Sequence, residues 1–310
     1  MKVRVIAIVL LMAGIAMASL GLTALTYEPA QKNDGLSVVA ATYPMYTAAL
    51  QVVGDAPNVS VTCLIQPTAG CAHDYQLSPD EMAALSAADV LVRNGVGADD
   101  FLEGALTALP HLTQLHVSEG VEVLDAHGHH NHDHVHHDTF EANEHVWVSP
   151  SRYAQQVEKL RDGLCAADPA HAEQYTVNAA AYLEKIEQVH TRFVQVGAAL
   201  KMDGAVLFHD SAAYAADELE IPVAAILPLG EEQGISAGDL TAAAQAVAGK
   251  RVLLLYDSQY ASQEFSLDEY ATHAVTVILD TAVLPRAGVA DKDRWLHAMT
   301  ENLKRLEAAI

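Results

Sequence analysis

The chain has 310 residues, enough for two lobes that each bury a core of their own. Apolar residues make up 51% and aromatics only 6%, the composition of an α/β protein rich in Ala, Val and Leu. A formal charge of −23 argues against nucleic acid as a partner and suits a surface that draws cations.

Met1-Lys2-Val3-Arg4 precedes an uncharged apolar run from Val5 to Leu25, the charge pattern of an export signal. At about 21 residues the run is also long enough to span a bilayer. Ala16-Met17-Ala18 offers a cleavage site, and no cysteine follows the run, so a lipoprotein anchor is not expected. Residues 1–35 therefore form a signal peptide or an N-terminal membrane anchor, plus a linker, and the protein is exported to the periplasm or the outer face of the membrane.

Leu36–Thr42 is a short apolar run suited to a buried parallel strand. Pro44–Val53 has helical spacing and Asn58–Leu64 is a second strand. Ser78-Pro79-Asp80-Glu81 combines an N-cap serine, proline at the first helical position and a glutamate placed to reach back, so a helix starts there and runs to about Ala88. A strand at Val90–Asn94 and a helix at Asp99–Leu109 come next. Ser149-Pro150 opens another helix, which ends near Asp168. Pro169–Leu200 is an Ala/Glu/Leu-rich helical stretch of roughly 45 Å, long enough to run along two lobes. The alternation then restarts: strand Ala205–Phe208, a helix from Ser211, strand Val223–Leu227, helix Ala237–Ala248, strand Val252–Tyr256, helix Gln263–Thr272, strand Val275–Leu279 and a closing helix Asp291–Ala309. The pattern predicts an α/β protein with parallel sheets. It has one β/α lobe over residues 36–168, a long connecting helix over 169–200 and a second lobe over 201–310.

Seven of the sixteen histidines crowd into residues 126–138, at His127, His129, His130, His132, His134, His136 and His137. Such a tract signals metal by composition but has no framework to hold a geometry. Four other side chains sit in loops around the strands and helices: His73 after the second strand, His145 before a helix, His209 directly after Phe208 and Asp280 directly after Leu279. Ligands of open parallel sheets bind beyond the carboxyl ends of strands. Two side chains from each lobe thus outline a site in the cleft between them. Three imidazoles and one carboxylate suit zinc; manganese prefers more oxygen, and calcium or magnesium nearly all oxygen. Asp74 and Asp210 each come directly after one of these histidines and are placed to orient it or balance charge. No His-Glu-x-x-His, Pro-Cys-x-x-Cys, Walker loop or Gly-x-Ser-x-Gly elbow occurs, and Gly95-Val96-Gly97 lacks the rest of a dinucleotide fingerprint. Among Cys63, Cys71 and Cys165, the first two flank a turn-rich segment and are the preferred disulfide pair; three unpaired thiols are the alternative.

Thr42-Tyr43-Pro44, Gly70-Cys71-Ala72-His73-Asp74-Tyr75, Asn94-Gly95-Val96-Gly97, His145-Val146-Trp147-Val148-Ser149-Pro150 and Phe208-His209-Asp210 occur in one order. In this the chain resembles the cluster A-I metal-binding proteins of ABC transporters, the ZnuA/TroA-like family, over essentially everything after residue 36. The resemblance implies two lobes on a rigid helix, with ligands at His73, His145, His209 and Asp280. A histidine at the third ligand position and the His-rich insertion resemble the zinc members. Ala72 departs from the proline usual before the first ligand. The implied role is a monomeric, non-enzymatic binding protein that captures Zn²⁺ and delivers it to the membrane subunits of an ABC permease. The alternatives are the same role for Mn²⁺, a zinc hydrolase, or a metal-dependent surface adhesin.

Overall fold

The computed structural model describes residues 35–66, 75–125, 142–229, 234–261, 267 and 270–310. The expected export segment, His73, Asp74, Cys71 and the His-rich tract lie outside them, as does most of the expected helix Gln263–Thr272. Among the described residues, eight strands make two parallel four-stranded sheets.

In the first lobe β1 (Leu36–Ala40) leads into α1 (Tyr43–Val53), then β2 (Val59–Cys63), α2 (Pro79–Ala87), β3 (Val90–Arg93), a short α3 (Glu103–Leu106) and β4 (Thr113–His116), with strand order β2-β1-β3-β4. Helix α4 (Pro150–Ala167) is next, and α5 (Ala172–Leu200) runs on for 29 residues. The second lobe repeats the plan with β5 (Gly204–Leu207), α6 (Ala213–Glu218), β6 (Val223–Ile226), α7 (Ala237–Val247), β7 (Arg251–Asp257), β8 (His273–Leu279) and α8 (Arg294–Glu307), in order β6-β5-β7-β8.

Local chemistry explains most boundaries. The capping box at α2 forms as its residues predict: Ser78 Oγ accepts from Glu81 N at 3.3 Å, and Ser78 N donates to Glu81 Oε2 at 2.7 Å. The expected helix Asp99–Leu109 is instead a 3₁₀ turn, Asp100–Leu102, running into four α-helical residues. Strand β4 is not among the expected elements, because Thr-Gln-Leu-His on a sheet edge carries no apolar alternation. The expected Cys63–Cys71 pair falls partly outside the described residues, at Cys71; the Cys63 thiol donates to Ile65 O at 3.2 Å. Burial, reinforced by Asp291, pushes that thiol up to about 12, so it stays protonated at neutral pH.

The inner strands β1, β3, β5 and β7 are largely buried on both faces, and successive residues sort between cores. Val38 and Ala40 of β1 face a central core while Val39 and Ala41 face an outer one; Leu253 and Leu255 of β7 join the same central core while Val252 and Leu254 turn outward. One apolar core is therefore continuous across both lobes. Its spine is α5, where Tyr175, Ala179, Tyr182, Ile186, Val189, Phe193, Val196 and Leu200 repeat at spacings of three and four. At 1.5 Å per residue the helix spans about 43 Å. Helix α8 crosses back from the second lobe. Trp295 stacks on Tyr153 at 4.2 Å and meets Tyr182 edge-on, and Tyr43 donates to Asp291 at 2.7 Å just ahead of the helix.

Candidate metal site

Strand order places β5 at the switch point of the second sheet, with β6 on one side and β7 on the other. That is where the loops beyond the strand ends part and leave room for a ligand. His209 is the second residue past the end of β5, buried at 3% exposure. Its ring stacks on Tyr260 at 4.8 Å between centroids and meets the ring of His145 edge-on at 5.4 Å. His145 comes from the first lobe. The backbone just C-terminal to it sets its position: a 3₁₀ turn (Val146–Val148), then Ser149 as N-cap and Pro150 at the first position of α4. Trp147 in that turn donates its indole N–H to Thr281 O in the second lobe at 2.9 Å, and Trp295 donates to Trp147 O at 2.8 Å. These two bonds clasp the His145 segment to the second lobe.

His145, His209 and Asp210 form the one metal-competent group among the described residues: a ligand atom from each lies within 4.8 Å of the others. The expected pair His145 and His209 is thus brought together across the lobes. Asp210 stands between their rings, with Oδ1 3.0 Å from His209 Nδ1 and 3.6 Å from His145 Nδ1.

The protonation pattern is set by the hydrogen bonds. Asn143 Nδ2 donates to Asp210 O at 2.9 Å, so its Oδ1 is the atom facing His145. That oxygen accepts from His145 N at 3.0 Å and lies 3.1 Å from His145 Nδ1. An acceptor there requires the proton on Nδ1, which leaves the Nε2 lone pair for a metal. The carbonyl of Asn143 is held in turn by Tyr214, whose hydroxyl donates at 2.8 Å. Burial pushes that phenol up to about 12, so it remains a donor. His209 Nδ1 faces two conflicting partners. Ser211 N, at 3.1 Å, needs a lone pair, whereas Asp210 Oδ1 needs a proton. Donation to Asp210 is the state that frees Nε2 for an ion. Buried Asp257 holds Ser211 beneath this choice, accepting from Ser211 Oγ at 2.9 Å and Thr281 Oγ1 at 3.1 Å.

Asp280 is buried in the second lobe, but the structure does not bring it into the three-residue group. Its Oδ1 and Oδ2 lie 2.6 and 2.9 Å from Arg294 Nη2, and Oδ1 also accepts from Ala282 N at 3.0 Å. Its charge is balanced by the protein itself. Asn143 and Tyr214 escape a sequence reading, because an asparagine two residues before a histidine has no spacing rule that marks it. Asp210 is visible only as a neighbour of His209.

Two β/α lobes on one continuous core, with an imidazole from each converging at a sheet switch point, define a two-lobed binding protein whose pocket suits a small cation. The family model described as zinc-uptake complex component A, periplasmic (ZnuA) matches residues 38–309, and the chain belongs to this family. It is 26% identical over 286 residues to the zinc-binding lipoprotein AdcA of Streptococcus pneumoniae (strain ATCC BAA-255 / R6), covering 89% of this chain. The chain spans 56% of that relative's length. It is 24% identical over 290 residues to the high-affinity zinc uptake system protein ZnuA of Bacillus subtilis (strain 168), covering 90% of this chain and 89% of the relative. A crystal structure of ZnuA has the same fold, with a TM-score of 0.65 at 22% identity over 88% of this chain and 99% of that one.

Proposed function

We propose that this protein captures Zn²⁺ outside the cytoplasmic membrane and passes it to an ABC permease for uptake. The observation that carries the proposal is the convergence of His145 and His209 from different lobes. Asn143 leaves one of these rings ready to bind through Nε2, and Asp210 is placed to do the same for the other. Nitrogen donors favour zinc over the harder cations, and the family membership and zinc-binding relatives agree with that choice. His73 is the third imidazole in this scheme and a carboxylate closes the set; the resemblance puts that carboxylate at Asp280. The His-rich tract acts as a weaker collecting loop. Residues 1–35 direct export, cleaved or retained as an anchor; among the described residues no helix is long and apolar enough to cross a membrane.

Isothermal titration of metal-stripped protein tests the scheme. His145→Ala and His209→Ala should each weaken zinc binding by more than about 100-fold, beyond the 10–100-fold typical of losing an outer-shell partner. Deleting residues 126–138 should lower the total zinc bound and leave one tight site. Wild-type affinity in both histidine variants would remove the site from this cleft.

A further inference from the structure

Resting on the zinc site proposed above, we infer that Glu218 is a positioning residue for that site. It fixes the separation of the two histidine-bearing segments from outside the cleft, and His190 holds it in place. Glu218 closes α6 at 5% exposure and is not a member of the group formed by His145, His209 and Asp210. Ser149 Oγ and Ser151 Oγ donate to its Oε2 at 2.5 and 2.9 Å. Ser151 N donates to Oε1 at 3.2 Å, and His190 Nδ1 is hydrogen-bonded to the same oxygen. These bonds fill the acceptor capacity of a carboxylate. Ser149 and Ser151 open α4 and His190 lies on α5, so one buried group joins three helices.

Both histidines are tied to this junction by hydrogen-bonded backbone. Val148 N donates to His145 O at 3.0 Å and Ser149 N to Val146 O at 3.2 Å, so the turn from His145 to Ser149 is held throughout. On the other side, Ala212 N donates to His209 O at 3.2 Å. The 3₁₀ turn Asp210–Ala212 then runs directly into α6, whose last residue is Glu218. The Ser149–Glu218 bond therefore closes a circuit that passes through both rings. A second tie lies beside it. Arg152 Nη1 donates to Asp217 Oδ2 at 2.6 Å, and its guanidinium stands 5.3 Å from the centre of the Tyr214 ring, whose hydroxyl holds Asn143 O. A slide of α6 against α4 would change the spacing of His145 and His209.

Stability alone does not call for a carboxylate here. Taking a charge out of water is costly, and well-packed apolar residues of similar volume often serve a fold as well or better. A carboxylate adds direction. Ser149 gives its hydroxyl proton to Glu218, which leaves a lone pair for Arg152 N at 3.3 Å and so sets the cap of α4. Ser151 N is one of the amides that a helix start leaves without an internal partner, and negative charge is favoured there. His190, half-buried, fastens the α4–α6 contact to the spine of the shared core. Losing the carboxylate would release all three helices from one another at this point and leave every proposed ligand intact.

The test compares wild type, Glu218→Gln, His190→Ala and His190→Asn. It measures zinc affinity by competition with a chromophoric chelator, the visible spectrum of the Co²⁺-loaded protein, and the thermal midpoint of the metal-free protein. Glu218→Gln keeps the shape and turns one acceptor into a donor; the asparagine returns a side-chain N–H near the place of His190 Nδ1. Glu218→Gln and His190→Ala should weaken zinc by about 3- to 30-fold, the range for residues acting through a packed network, and shift the Co²⁺ ligand-field bands. His190→Asn should recover most of both changes. Wild-type zinc affinity and Co²⁺ bands in Glu218→Gln, whatever its midpoint, would overturn the assignment and make Glu218 a purely structural residue. If Glu218→Gln does not fold, His190→Ala decides by the same criterion. No recovery in His190→Asn would overturn the part given to His190. A wild type that binds neither zinc nor Co²⁺ would strike the site proposed above, and the positioning role with it.

Discussion

The two histidines do not act as bare imidazoles. His145 Nδ1 faces Asn143 Oδ1, while His209 Nδ1 accepts from Ser211 N and also faces Asp210 Oδ1; these couplings decide which nitrogen can meet an ion. Asn143 joins the two, since its amide also holds the Asp210 carbonyl. Asn143→Ala should therefore lower zinc affinity by about 10–100-fold while leaving every proposed ligand in place, as loss of an outer-shell partner does. Titration calorimetry checks this, and Asn143→Asp, which keeps an acceptor for Nδ1–H, should recover much of the loss. The candidate ligands His145 and His209 are legible in the sequence because each sits alone at a framework boundary. Asn143 is not: it works through a ring nitrogen, and tautomer choice leaves no periodic trace in a sequence.

At the scale of elements, patterns carried by caps and by buried runs can be read from the chain. Ser78 with Glu81, Ser149 with Pro150, and the apolar runs of β1, β3, β5 and β7 each have one physical explanation, and the structure shows each in place. Edge strand β4 and the broken α3 cannot be read so, because tertiary context rather than local pattern decides them. Helix α5 carries a tighter constraint than its composition suggests. A Cβ on Gly197 would stand 2.0 Å from the carbonyl oxygen of Leu219, just past the end of α6. Helix propensity favours alanine over glycine by about 1 kcal/mol. The clash is with backbone, which cannot rotate away, and overpacking of this kind costs about 3 kcal/mol. The clash wins. Gly197→Ala should lower stability by about 2 kcal/mol, seen as a fall of roughly 5 °C in the thermal midpoint. An unchanged or raised midpoint would mean that α6 can slide on α5, against the packing described.

Across the whole molecule, the lobes share one apolar core, one long helix and the Trp147–Trp295 clasp. A wide hinge would have to tear that core open, so the change on binding should be small shifts of helices and loops of about 1–2 Å. The charge of −23 surrounds a buried site with a field that attracts cations and weakens with salt. Selectivity then rests on the ligands and delivery on the surroundings. The central claim is that one cation sits between the lobes, held by a histidine from each. Anomalous diffraction at the zinc absorption edge, from crystals of the zinc-loaded protein, measures this most directly. The expected result is one dominant peak within about 2.0–2.1 Å of a ring nitrogen of both His145 and His209. A dominant peak elsewhere, with no density for a metal at either ring, would contradict it.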